Sequence, residues 1–132
     1  MTYEDKKKYL ENFITLDAQI DALIKEKEKW YKRALILKNE DAVFATDVDS
    51  CKFALNKVMQ IEKEITQSID KLVDMRSEIT DALEKIDDFI LKQIIYYKYI
   101  KGMSFEKIGE EIGYCTKQIS RLHKKAIESI KF

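Results

Sequence analysis

The sequence predicts an all-α protein, a long antiparallel helical coiled-coil hairpin followed by a C-terminal unit of three short helices. Three observations point there. The 132 residues contain no proline and three glycines, so little in the chain interrupts a helix. Over two long stretches, apolar residues recur at alternating intervals of three and four, the pattern of helices that face a helical partner. Past residue 86 the helical periodicity continues in short segments, with Gly102 and Gly113 as punctuation.

The first helix is predicted from about Glu4 to Lys38, a span without glycine or proline. Phe13, Leu16, Ile20, Leu23, Lys27, Trp30, Ala34 and Leu37 form its heptad seam, interrupted once by Lys27. At about 1.5 Å per residue the helix is roughly 50 Å long. Trp30 and Tyr31 are read as a seam and a flank residue rather than a ligand cage. Lys6, Lys7 and Lys8, beside Glu4, Asp5 and Glu11, are read as a solvated helix start.

Asn39 to Ser50 breaks the pattern with four acidic residues and no basic one, and is predicted to be a connector. Asp49 and Ser50 are its expected helix caps, and Val43 and Phe44 are expected to fold back onto the helices it joins. Asp47 and Asp49 have a D-x-D spacing, but the glycine and distal glutamate of a calcium loop are not at the required positions. No metal site is expected there.

A second seam follows: Ala54, Val58, Ile61, Ile65, Ser68, Leu72, Met75, Ile79, Ala82 and Ile86. Two heptad helices of matching length joined by a short connector favour a hairpin over residues 1–86. Further apolar residues lie beside the seams: Ile14, Ile24, Tyr31 and Leu35 on the first helix, Ile69, Val73 and Leu83 on the second. Either the C-terminal helices or a second copy must cover them, and the expectation is a homodimer formed through this part of the chain.

Asp87 and Asp88 open the third helix, where negative charge suits a helix N-terminus. Phe89, Ile90, Leu91, Ile94, Ile95, Tyr97 and Ile100 supply its apolar side, and Gly102 ends it. Residues 87–132 are therefore predicted to be a second, three-helix domain. Tyr96, Tyr97 and Tyr99 are assigned to packing and phosphate contacts rather than base stacking.

Within that domain, Ser104 can cap a helix, Gly109 can allow close approach and Gly113 can take the positive φ of a helix-ending turn. Ile108 and Ile112 share one face; Ile119, Leu122, Ala126 and Ile130 form the stripe of the next helix. The spacing of Gly109, Gly113 and Ile119 is that of a helix-turn-helix. The outer face of the last helix carries Lys117, Ser120, Arg121 and Lys124, a polar, basic surface suited to the DNA major groove. An ordinary helix pair explains the apolar stripe but not this outer face.

The segments "YKYIKGMSFEKIGEEIGY" (97–114) and "KQISRLHKKAI" (117–127) carry a resemblance. From about Leu83 to Phe132 the chain resembles region 4 of sigma-70-type factors, and most of all the phage and prophage transcriptional regulators of the ArpU-like group. A long helical segment ahead of the module is similar to that group as well. The resemblance implies DNA reading by Thr116, Lys117, Ser120 and Arg121, with Gln118 on the flank. Where the family carries serine or threonine, this chain has Cys115, so the cap of the recognition helix passes to Thr116 or is weaker.

Physical chemistry assigns matching roles. Arg121 can grip a guanine edge through its planar guanidinium, and Lys117 can reach a base or a phosphate. Thr116, Gln118 and Ser120 can donate near the helix start, while Lys124 and Lys125 position the protein on the backbone. His123 is read as a polar side chain near that backbone, with no second histidine to complete a metal site.

Charge limits how tightly such a surface can hold DNA. Residues 1–86 hold 15 basic and 18 acidic side chains, and residues 87–132 hold 9 and 6. From Tyr114 onward five basic residues oppose Glu128 alone, a modest excess for neutralising phosphates. One copy should bind weakly and need a second copy or another partner. Catalysis is not expected, because no nucleophile–base spacing and no phosphate-cradling glycine loop is present, and no cofactor is implied. Cys51 and Cys115 are too few for a disulfide framework. No apolar run of about 18 residues is present to cross a membrane. The N-terminal MTYEDKKKYLENF lacks the apolar core of a signal peptide, so a cytoplasmic location is expected. The competing expectation is an interaction adaptor that docks on RNA polymerase or another protein without reading DNA.

Overall fold

A computed structural model describes residues 1–39 and 45–132, and every described element is helical. The elements are α1 (Tyr3–Asn39), α2 (Ala45–Glu84), α3 (Phe89–Ile95), α4 (Phe105–Ile112) and α5 (Thr116–Ser129). A π-helical turn, Tyr96–Ile100, continues directly from α3. Among the described residues no helix is long and apolar enough to cross a membrane.

The start of α2 corrects the sequence reading. Asp49 and Ser50 were expected to cap it, yet the helix begins at Ala45 and both lie inside. With no glycine or proline to stop it, the helix extends upstream, and Asp49 near its N-terminus suits the helix dipole. The expected folding-back of Val43 and Phe44 lies outside the described residues. At the other end α2 stops at Glu84, two residues short of the seam's last member. Its final turn tightens, with Ile86 N–H donating to Leu83 O at 3.0 Å, and Ile86 is buried just beyond it.

The chain forms two compact units. In residues 17–71 the two long helices pack together. Cys51 Sγ lies 3.7 Å from Ala34 O, Phe53 meets the Trp30 ring edge-on, and Lys27 pairs with Glu62 at 3.5 Å. Partners therefore climb one helix as they descend the other, an antiparallel arrangement. Ile20, Ala34, Ala54, Val58 and Ile61 are buried along the contact, while Leu23, Trp30, Ile65 and Ser68 are half-buried. Lys27, the seam's polar interruption, is thus answered by a carboxylate at the helix boundary.

The other unit comprises residues 1–16 and 72–132. Leu10 and Phe13 of α1 meet Ile79, Ala82 and Leu83 of α2, and α3, Tyr99 and the end of α5 enclose them. A smaller cluster joins Ile94, Ile108 and Ile119, the centres of α3, α4 and α5. Tyr9 donates to Glu78, and Lys6 Nζ donates to the Glu128 carbonyl at 3.2 Å. Of the flanking apolar residues, Leu83 is buried here and Ile14 packs against the cluster, whereas Ile24, Tyr31, Leu35, Ile69 and Val73 stay exposed.

Candidate nucleic-acid interface

Each end of the α3–α5 segment is set by a local device. Asp88 caps α3, accepting from the N–H groups of Ile90 and Leu91 at 3.0 and 3.3 Å. The helix then widens at Tyr96–Ile100, where Lys101 N–H donates to Tyr96 O, five residues back, at 3.1 Å. One α-helix ending at Gly102 was expected; the wider turn replaces its last part, and Gly102 follows with φ of 68°. Ser104 caps α4 by accepting from Lys107 N–H at 3.2 Å.

Gly113 ends α4 in the left-handed region, with φ of 90°, and both Gly113 N–H and Tyr114 N–H donate to Gly109 O. Gly109 is needed for a reason slightly different from the one expected. A Cβ there would lie 2.4 Å from the Tyr114 carbonyl oxygen, so the turn crowds it more than the next helix does. Of the two alternatives expected for the cap of α5, transfer to Thr116 is not the one adopted. Cys115, not Thr116, is the N-cap residue, and its N–H donates to Gln118 Oε1 at 3.2 Å. Gln118 thus spends its carbonyl on the helix start, half of a capping box.

All seven predicted contact residues (Thr116, Lys117, Gln118, Ser120, Arg121, Lys124 and Lys125) are exposed. They do not share one direction. At about 100° per residue, Lys117, Arg121 and Lys124 fall within an arc of roughly 60° opposite buried Ile119. Ser120 flanks this arc on one side, and Gln118 and Lys125 flank it on the other. Thr116 projects on the side of His123 and Ile127, away from the basic arc. Glu128 lies on the same bearing as the three cations, two turns past Arg121.

The reading of His123 is corrected outright. It is buried on the core side of α5, one turn past Ile119, and shares a 2.7 Å hydrogen bond with the Tyr99 hydroxyl. The Phe105 ring packs against the imidazole. Burial, with Lys98 and Lys7 nearby, pushes its pKa down to about 4, so the ring is neutral. Burial likewise pushes the Tyr99 phenol up, keeping its proton in place. Tyr99 therefore serves the interior and has no part in phosphate contact. The stripe of α5 runs through His123 and Ile127 as well as Ile119, Ala126 and Ile130; Leu122 is half-buried.

Beside this pair lies a cleft of about 390 Å³, lined by Lys7, Lys98, Ser120, His123 and Lys124 among others. Lys98 also stands over the Phe105 ring, 4.8 Å from its centroid. Lys7 and Lys98 add positive charge next to Ser120 and Lys124, and sequence spacing gave no sign of either. Among the described residues no group of three or more histidine, cysteine, aspartate or glutamate side chains could hold a metal ion, and Cys51 and Cys115 are free. No protein-family model, curated protein or solved structure matches the chain.

Proposed function

We propose that the protein is a sequence-specific DNA-binding transcriptional regulator of phage or prophage type, in which α4 and α5 act as a helix-turn-helix. On this reading α5 enters the major groove at its N-terminal end, and the two long helices form a coiled-coil hairpin that joins two copies. The observation that carries the proposal is the exposed arc of Lys117, Arg121 and Lys124 on the first turns of α5. Capping at Cys115 by Gln118 holds the start of that helix. Arg121 reads a base edge, Lys117 a base or phosphate, and Ser120, Lys124 and Lys125 hold the backbone, joined from the cleft by Lys98 and Lys7. Gln118 contributes its amide N–H₂, since its carbonyl is occupied, and Thr116 is a peripheral contact.

Binding of wild type and a Lys117→Ala/Arg121→Ala variant to random and promoter-rich phage DNA, across a salt series, tests this. The expected wild-type result is salt-sensitive binding with fragment preference, and the variant should lose the preference. Arg121→Ala alone should cost about 1–3 kcal/mol and relax specificity at one position. Absence of binding even at low salt would overturn DNA reading.

The second reading is an adaptor docked on RNA polymerase. It draws support from the zero net charge and from Glu128 on the same bearing as the cations. Salt-tolerant binding to polymerase without DNA binding would favour it.

A further inference from the structure

Within residues 17–71 the two sides of the helix contact differ in how many large apolar side chains they expose. Gln19 and Glu26 of α1 each precede a seam residue, as do Glu64 and Gln67 of α2, and all four line a single groove. Antiparallel packing puts the pre-seam residues of both helices on one side, so the residues just after the seam must share the other. That side alternates polar with apolar residues: Asp21, Glu28, Glu62 and Thr66 follow Ile20, Lys27, Ile61 and Ile65, and between them stand large apolar side chains. Ile24, Tyr31 and Leu35 follow Leu23, Trp30 and Ala34; Leu55, Met59 and Ile69 follow Ala54, Val58 and Ser68. All six are exposed, from 38% for Ile24 to 67% for Met59.

We infer that this apolar side is the interface with a second copy of the chain, packed helix pair against helix pair. Three features select that occupant. The apolar positions on each helix keep the register of the seam, interrupted by Glu28 on α1 and by Glu62 and Thr66 on α2, so the complement is another pair of helices rather than an extended peptide or a small ligand. The six side chains expose roughly 400–600 Å² of apolar surface, at the top of what a monomer leaves open and most of the roughly 800 Å² per partner of a stable interface. The two helices offer matching stripes, three residues each, so a two-fold axis can set the α1 stripe of one copy on the α2 stripe of the other. The opposite side exposes only two large apolar residues, Ile36 and Phe53, against these six, and its groove is lined by Gln19, Glu26, Glu64 and Gln67. This assignment rests on the two-copy pairing proposed above, for which it names the face, and not on DNA recognition.

Sedimentation of the full chain up to about 100 μM tests it. Wild type should be a dimer. Met59→Glu/Ile69→Glu should weaken association about 100-fold or more while keeping its far-ultraviolet helix signal. Gln60→Glu/Gln67→Glu, which puts the same charge before the seam, should remain dimeric. A monomeric wild type overturns the inference, as does a Met59/Ile69 variant that dimerises as tightly, or a control that dissociates equally. Should the double glutamate variant lose helix, Leu55→Gln/Met59→Gln, which adds no charge, gives the same decision.

Discussion

Residues 17–71 and residues 1–16 with 72–132 are built from the same two helices, yet they bury their apolar side chains to different depths. Leu10, Ile79, Ile94, Ile95, Ile108, Ile119, Ile127 and Ile130, the largest fully buried side chains described, all belong to the second group. In the first, seam positions are filled by Ala34, Ala54, Ser68 and Lys27, and Ile65 is only half covered. Two helices alone enclose a narrow stripe, because every side chain has one neighbour helix and open flanks. Adding α3 and α5 closes those flanks around Leu10, Phe13 and Ile79. Stability should therefore be unevenly distributed along helices that look continuous.

The largest contrast comes from truncating one isoleucine in each region. Ile79→Ala should cost about 3–4 kcal/mol, and Ile65→Ala about 1 kcal/mol, in chemical denaturation. Equal costs would break the comparison. Next, Gly109→Ala drives a methyl group into the Tyr114 carbonyl and should cost about 2 kcal/mol by the same measurement. An unchanged denaturation midpoint would mean that the turn relaxes freely.

The His123–Tyr99 pair makes the well-packed region sensitive to acid. The unfolded imidazole titrates near its ordinary 6.5 and the folded one near 4, so between these values the unfolded chain binds more protons. Stability should fall as pH drops from about 6.5 towards 4 and this contribution should level off below. His123→Gln should flatten that part of the profile, read as the difference between two pH–denaturation curves. The smallest expected effect runs the other way. Lys27→Leu restores an apolar seam residue and should stabilise residues 17–71 by about 1 kcal/mol, seen as slower amide exchange there. Unchanged exchange would show that the Lys27–Glu62 pair already serves as well.

What could be read from sequence was what local chemistry decides. The Ser104 cap, the acidic start of α3 and the positive φ of Gly113 depend on residues within one turn, and the long heptad runs needed only periodicity. What required the fold was any choice among equivalent local options. His123 and Lys124 are adjacent polar residues, and only packing against Tyr99 and Phe105 sends the first inward. The capping role of Gln118 gave no sign in the sequence because its partner, Cys115, is a weak side-chain acceptor whose backbone N–H does the bonding. The π-helical turn left no mark in an unbroken run of helix-compatible residues. Nor could periodicity say which flanking residues would be covered: Ile14 and Leu83 find neighbours and Tyr31 and Val73 do not.

The bond from Lys6 to the Glu128 carbonyl, and the contact of Tyr9 with the Phe132 ring, tie together positions 122 and 123 residues apart. During synthesis Leu10 and Phe13 emerge long before Ile127 and Ile130 exist to cover them. At roughly 5–20 residues per second, that wait is about 6–24 s. Ile79, Ala82 and Leu83 can cover it in part once α2 has emerged, but for the rest of this interval the nascent chain carries an incompletely enclosed apolar helix start. Once residues 126–132 are out, no prolyl isomerisation delays closure, because the chain contains no proline.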